Sequence, residues 1–158
     1  MSPRWQKRGN WDSASFFQRK KAGFLADSKY LKHKGFLLAN SAAPYFELWY
    51  LPFSADSKTP HFRSCVNKPP AVKDAFTLYY THRCPYTAQY IPLLQNVAEL
   101  RSVTMNIIHI ESRDQPQNAP YPFTTFALYH NGEFVTHEIQ SVPKFEKIMD
   151  WYCEDGRL

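Results

Sequence analysis

Lys68-Pro69-Pro70 constrains this chain more than any other stretch, because consecutive prolines offer no backbone N–H to a helix or a central strand. The charge changes sign just beyond it. Up to Ala75 there are 13 Lys/Arg and 5 Asp/Glu, a net of 13 − 5 = +8. From Phe76 onward there are 6 and 9, a net of 6 − 9 = −3. A sign change at a Pro-rich segment marks a linker, placed at 68–74, between two units. A domain typically takes ~100–150 residues, so the 158 residues amount to one ordinary domain or two very small ones and leave little room for a large enzyme.

The chain holds core-forming material: 44% of it is hydrophobic and 16% aromatic, with 12 Pro and 5 Gly, which separates it from disordered polymers. No apolar run approaches the ~18 residues of a membrane span. The basic N-terminus lacks the apolar core of a signal peptide, so a cytoplasmic protein without a membrane partner is expected. Three widely spaced cysteines, Cys65, Cys84 and Cys153, supply neither paired disulfides nor a four-thiolate zinc site. The head from Met1 to Lys34 carries 9 Lys/Arg against 2 Asp/Glu, with Trp5, Trp11, Phe16 and Phe17 interleaved. That mixture suits phosphate neutralisation and base stacking, but no nucleic-acid-binding motif accompanies it. A frayed or solvated basic terminus is the reading preferred, and nucleic acid is not expected as a partner.

The second unit reads as alternating strands and helices. Phe76-Thr-Leu-Tyr-Tyr-Thr81 suits a buried strand. From Thr87 to Leu100, Tyr90, Ile91, Leu94, Val97 and Ala98 recur at spacings of three and four and form one buried helical face, with Pro92 predicting a bend. Val103–Ile110, Phe123–His130 and Glu133–Ile139 are strand candidates, the last two joined by the hairpin signal Asn131-Gly132. A final helix starts after Ser141, its apolar face built from Val142, Phe145, Ile148, Met149 and Tyr152.

Between the first strand and the first helix stands Cys84-Pro85-Tyr86-Thr87. A cysteine at a helix N-terminus meets unpaired N–H groups and the positive end of the dipole, which favour a thiolate. The competing reading is a buried cysteine acting as a small apolar residue. His82, two residues earlier, is either an electrostatic aid to the thiolate or an ordinary exposed loop histidine.

This unit resembles the thioredoxin/glutaredoxin superfamily. Cys84-Pro85-Tyr86 is similar to the glutaredoxin active-site turn, Pro92 to the helix-kinking proline, and Tyr129-His-Asn-Gly-Glu133 to the closing hairpin. Thr87 stands where a dithiol enzyme has its resolving cysteine, and Thr124 where the superfamily has its cis-proline, with Pro122 two residues early. A threonine cannot complete an internal disulfide, so dithiol reductase activity is not expected. More narrowly, residues 75–153 resemble the YoaP-like domain that follows GNAT-type acetyltransferase domains, through Cys84-Pro-Tyr-Thr, Ile108-His-Ile-Glu-Ser112, Asn118-Ala-Pro120 and Asn131-Gly-Glu-Phe134.

In the first unit, Phe24 to Phe36 reads as a short helix, capped near Asp27 and stopped by Gly35. Phe36–Ala39 and Tyr45–Phe53 are two strand candidates. So few elements cannot bury a core by themselves. Residues 22–67 resemble the C-terminal fragment of a GNAT-family N-acetyltransferase: last helix, Gly-Phe turn (Gly35-Phe36) and final two strands. That resemblance implies acetyl-CoA chemistry in a full-length relative. The Gly-rich pyrophosphate loop is not matched here: Gln6-Lys-Arg-Gly9-Asn-Trp11 comes nearest and places Trp11 where a small residue is needed. Leu31 occupies the place of the general-acid tyrosine, Tyr30 being one position off. No cofactor is therefore assigned to this chain, acetyl-CoA being expected only of a full-length relative. Residues 1–21 remain unassigned.

The six histidines show no helical pair at metal-ligand spacing, so no metal is expected. Glu111 and Asp114 flank Arg113 without forming an acid/base pair. The fold expected is α/β: a small thioredoxin-like α/β/α domain preceded by a partial GNAT-like helix and β-hairpin. The leading functional reading is a truncated GNAT-type N-acetyltransferase, inactive by itself, whose partner is an upstream acetyltransferase half or a full-length homologue. Second is a monothiol redox or thiol-binding module acting through Cys84, and third a noncatalytic interaction domain.

Overall fold

A computed structural model of the chain describes residues 13–19 (backbone), 27–66, 68, 72–112, 114–122 and 125–154. The described residues form a mixed α/β structure with two sheets and three α-helices, and the chain divides into two units between Phe62 and Arg63. Pro69, Pro70 and Ala71 of the expected linker lie outside the described residues.

The first unit contains β1 (Ser13–Arg19), α1 (Ser28–His33), β2 (Leu37–Ala42) and β3 (Phe46–Pro52). The strands form an antiparallel sheet in the order β1-β3-β2. The expected hairpin is thus one flank of a three-stranded sheet, and β1 is an element that composition had hidden inside a basic head. Helix α1 starts as its sequence requires. Asp27 accepts a hydrogen bond from Lys29 N at 3.1 Å. It stops where Gly35 adopts φ +84°, a conformation glycine enters without a Cβ penalty. Leu31, Ala42, Phe46, Trp49 and Tyr50 are buried, whereas Tyr30, Leu37, Leu38 and Phe53 stay exposed.

The second unit runs β4 (Phe76–Tyr80), α2 (Pro85–Leu100), β5 (Met105–His109), a 3-10 turn (Pro116–Asn118), β6 (Phe126–His130), β7 (Glu133–Thr136) and α3 (Val142–Glu154). Its sheet has the order β5-β4-β6-β7: β4 and β5 are parallel, and β4–β6 and β6–β7 are antiparallel. A parallel pair needs a crossover, and α2 provides it. Helix α2 continues through Pro92. Strand β7 ends at Thr136, short of the expected Ile139, because residues 137–138 bend away from the ladder.

Alternation along the strands sorts side chains onto two faces. One face, carrying Phe76, Leu78, Phe126 and Leu128, packs against Ile91, Leu94 and Ala98 of α2 and Phe145, Met149 and Tyr152 of α3. Phe76, Leu78, Leu94, Phe126, Leu128, Phe145 and Met149 are completely buried, each contributing about 1.5–3 kcal/mol of apolar transfer. The helical periodicities of the sequence are those of the buried faces. The opposite face carries Tyr79, Ala127 and Tyr129, covered by Ile110, Ala119 and Tyr121 from the segment joining β5 to β6. Asn131 (φ 50°) and Gly132 (φ 81°) make the hairpin turn with positive φ at both positions. The Asn131 side chain also anchors the start of β4 by accepting from Ala75 N at 3.2 Å. No helix among the described residues is long and apolar enough to cross a membrane.

Candidate functional site

In an open sheet with parallel strands, the crevice beyond the strands' carboxyl ends is the favoured place for chemistry. Here β4 and β5 end side by side at Tyr80 and His109, which are directly paired in the register. Ile110 N donates to Tyr80 O at 2.8 Å and holds the two departing segments together.

Cys84 sits at this end as the N-cap residue of α2, with extended backbone (φ −114°, ψ 122°) and Pro85 in the first turn. Proline is preorganised for that position and lacks the N–H that would otherwise go unpaired. The sulfur makes no capping hydrogen bond, and the first turn holds no acidic residue. Cys84 is a free, half-buried thiol, Cys65 is likewise half-buried, and Cys153 is exposed. Cys65 is engaged elsewhere, its Sγ lying 3.2 Å from Gln117 O.

Thr87, three residues on, is completely buried, and its Oγ1 has no hydrogen-bond partner among the described residues. Thr81 Oγ1, just before the turn, is buried in the same condition. Thr124 lies outside the described residues, as do Gln6, Gly9 and Trp11 and the side chains of residues 1–26. Leu31 is buried in the first unit while Tyr30 is exposed with Lys34 Nζ 5.5 Å from its ring centre.

A cluster that the sequence reading did not assemble lies at the carboxyl ends of β4 and β5. His109 stacks on Tyr80 with centroids 4.5 Å apart and planes inclined by 17°. His82 meets His109 at 4.1 Å and Tyr80 at 5.7 Å between ring centres. His109 Nδ1 lies 2.8 Å from Glu111 Oε1. Because Tyr80 and His109 follow Leu78 and Ile107 by two residues, both stand on the sheet face that α2 covers. The legible signal was a His-x-Glu pair at the end of a β-rich run; its partner from the β4–α2 loop is set by parallel pairing, which no local pattern encodes.

On the opposite face three phenols form a separate layer. Tyr121 is 5.2 Å from Tyr79 and 6.1 Å from Tyr129, and Tyr129 meets Phe134 edge-on at 5.6 Å, all between ring centres. Burial pushes the Tyr121 hydroxyl well above the ordinary tyrosine range, with smaller contributions from Tyr129 and Tyr79. Burial does the same to Tyr129, Tyr79 adding to it, and to Tyr79 itself. Among the described residues no group of three His, Cys, Asp or Glu side chains is placed to hold a metal ion.

Residues 105–147 match the family model described as YoaP-like. Over 132 residues, 84% of this chain, the sequence is 36% identical to the protein named uncharacterized N-acetyltransferase YoaP of Bacillus subtilis strain 168, of which the match covers 53%. The chain therefore spans about half the length of the curated relative it matches. No solved structure matches.

Proposed function

We propose that this chain serves an N-acetyltransferase of the YoaP type, contributing the end of a GNAT-like domain and a thioredoxin-like domain but not the acetyl-CoA site. The observation that carries this reading is the 36% identity over 132 residues to a protein bearing that activity in its name. Two structural features support the finer parts. The element order β-α-β-β-β-α of the second unit, with its sheet order β5-β4-β6-β7, is the arrangement expected of a thioredoxin-like domain. In the first unit a helix stopped by Gly35 leads into an antiparallel strand pair, as the GNAT resemblance requires.

The pyrophosphate of acetyl-CoA is best met by glycine-rich backbone at a helix N-terminus. Among the described residues the glycines are Gly35 and Gly132, one closing α1 and the other in the β6–β7 turn. Neither begins a helix. Acetyl transfer then depends on the part of such an enzyme that this chain does not span. The test is to follow acetyl-CoA consumption with a panel of amine acceptors, using this chain alone, the uncovered part of the Bacillus relative alone, and both together. Turnover only in the mixture supports the reading; turnover by the chain alone contradicts it.

A second reading is favoured by one specific observation: Cys84 is a free thiol at the N-terminus of a 16-residue helix, at the carboxyl end of a parallel strand pair. With Thr87 in the first turn instead of a second cysteine, such a thiol works singly. On this reading the second unit forms mixed disulfides with small thiols, and the noncatalytic alternative applies if Cys84 does not react in the folded state.

A further inference from the structure

Helix α2 carries two apolar stripes, and the core accounts for only one of them. Thr87, Ile91, Leu94 and Ala98 are buried. Tyr86, Tyr90, Leu93, Val97 and Leu100 make the second, at spacings of 4, 3, 4 and 3 residues, which is the seam pattern of paired helices. At about 100° per residue its centre lies about 110° round the helix from the buried stripe. Tyr86, Leu93 and Leu100 are 63%, 48% and 78% exposed, and Tyr90 and Val97 are half-buried.

The charges around this stripe point to what covers it. Of the 16 residues of α2 only Glu99 is charged, and it stands about 140° away from the stripe centre. The 13 residues of α3, by contrast, include Lys144, Glu146, Lys147, Asp150 and Glu154. An exposed helix flank that carries tyrosine and no charge has the composition of an interface centre. Its cover must be equally uncharged, or a charge is buried without a counterpart. The stripe itself meets that condition, and it is nearly palindromic about Leu93, with Tyr86 and Leu100 seven residues to either side. The two helix ends, however, differ in sign. His82 and Arg83, both exposed, precede the start. At the other end Arg101 is shared by Asp150 and by Glu146 at 3.8 Å, two carboxylates on one guanidinium. No acidic side chain in the first turn and no basic one in the last offsets the helix dipole. An antiparallel copy sets the basic start of each helix beside the acidic end of the other and opposes the two dipoles.

We propose that α2 is the seam of a homodimer, in which a second copy of this chain packs antiparallel across a two-fold axis at Leu93. A two-fold interface uses the same patch twice. Leu93 therefore meets the partner's Leu93, Tyr86 lies beside the partner's Leu100, and Tyr90 lies beside the partner's Val97. The aromatic half of each stripe is set against the aliphatic half of the other. A 16-residue helix is about 24 Å long, so the contact falls below the roughly 1,200 Å² at which stable interfaces begin. The dimer is accordingly of the weak, exchanging kind, with a dissociation constant on the order of 10–100 μM. It depends neither on Cys84 nor on the acetyltransferase reading.

Sedimentation velocity of the full chain, kept reduced, should show a shift from monomer to dimer between about 5 μM and about 500 μM. Leu93→Asp places two carboxylates at the axis and should weaken the dimer about tenfold or more. Because Leu93 is 48% exposed, the urea midpoint of that variant at low micromolar concentration should match the parent's. Arg83→Glu, which sets like charges together at both ends, should weaken the dimer about threefold, an effect that fades in 0.5 M NaCl. The two-fold arrangement has its own readout. In a background of Cys65→Ser, Cys84→Ser and Cys153→Ser, the Leu93→Cys chain should cross-link to a dimer under diamide. The Gln95→Cys chain, altered on the side of the helix opposite the stripe, should not. A monomer throughout the concentration range overturns the proposal. So does a dimer that Leu93→Asp leaves intact, which would move the association to another surface such as a sheet edge. Cross-linking through Gln95→Cys but not through Leu93→Cys contradicts the axis at Leu93.

Discussion

Tyr121 and Tyr79 stand with their ring centres 5.2 Å apart on the sheet face opposite the helices, and the Tyr121 hydroxyl is buried without a hydrogen-bond partner among the described residues. A hydroxyl so placed forfeits its water without regaining a bond, so its removal is close to free of cost. Tyr121→Phe is expected to hold or raise stability, by up to about 1 kcal/mol, in urea denaturation at pH 8.

The same layer sets an alkaline limit. Burial raises the hydroxyls of Tyr121, Tyr129 and Tyr79 above their unfolded values. The folded state therefore keeps protons that the unfolded chain releases above about pH 10. Stability is complete below that point and falls as pH rises through it. The urea midpoint should drop between pH 8 and pH 10.5, and the drop should be smaller in Tyr121→Phe. An equal drop in both proteins would show that Tyr121 is not buried as described.

The core of the second unit separates two adjacent leucines. Leu94 is completely buried between α2 and the sheet, and Leu93 is 48% exposed. Leu94→Ala should cost about 2–5 kcal/mol through lost transfer energy and a cavity. Leu93→Ala should change stability by no more than about 0.5 kcal/mol. Denaturant midpoints of the two variants, compared at equal slope, check the assignment of the buried helical face.

The three cysteines should not react in order of exposure. Cys153 is exposed and Cys84 half-buried, so access alone predicts that Cys153 reacts first. On the reading of Cys84 as a working thiol at the N-terminus of α2, faster alkylation there is the expected result near neutral pH. Brief iodoacetamide treatment followed by mass spectrometry ranks the sites, and Cys84→Ser should remove the fast phase without unfolding the chain.

How much of this was legible differs by element. The buried faces of α2 and α3 followed from residues such as Leu94 and Phe145 at helical spacing, and the β6–β7 turn from Asn131-Gly132. The third strand of the first sheet did not, because Ser13–Arg19 sits in a segment whose composition is dominated by charge. Its partner, β3, is some thirty residues away in sequence. The site was half legible. Cys84 announces itself by standing between a strand and a helix pattern, whereas His109 meets Tyr80 and His82 only through the parallel pairing of β4 with β5. Local sequence carries turn chemistry and burial, but not which strand ends come to lie together.

The most direct test of the central claim is calorimetric titration of this chain with acetyl-CoA. The account predicts no saturable heat at micromolar concentrations, because the described residues offer no glycine-rich helix start for the pyrophosphate. Stoichiometric, saturable binding would contradict it and place a complete acetyl-CoA site within these 158 residues.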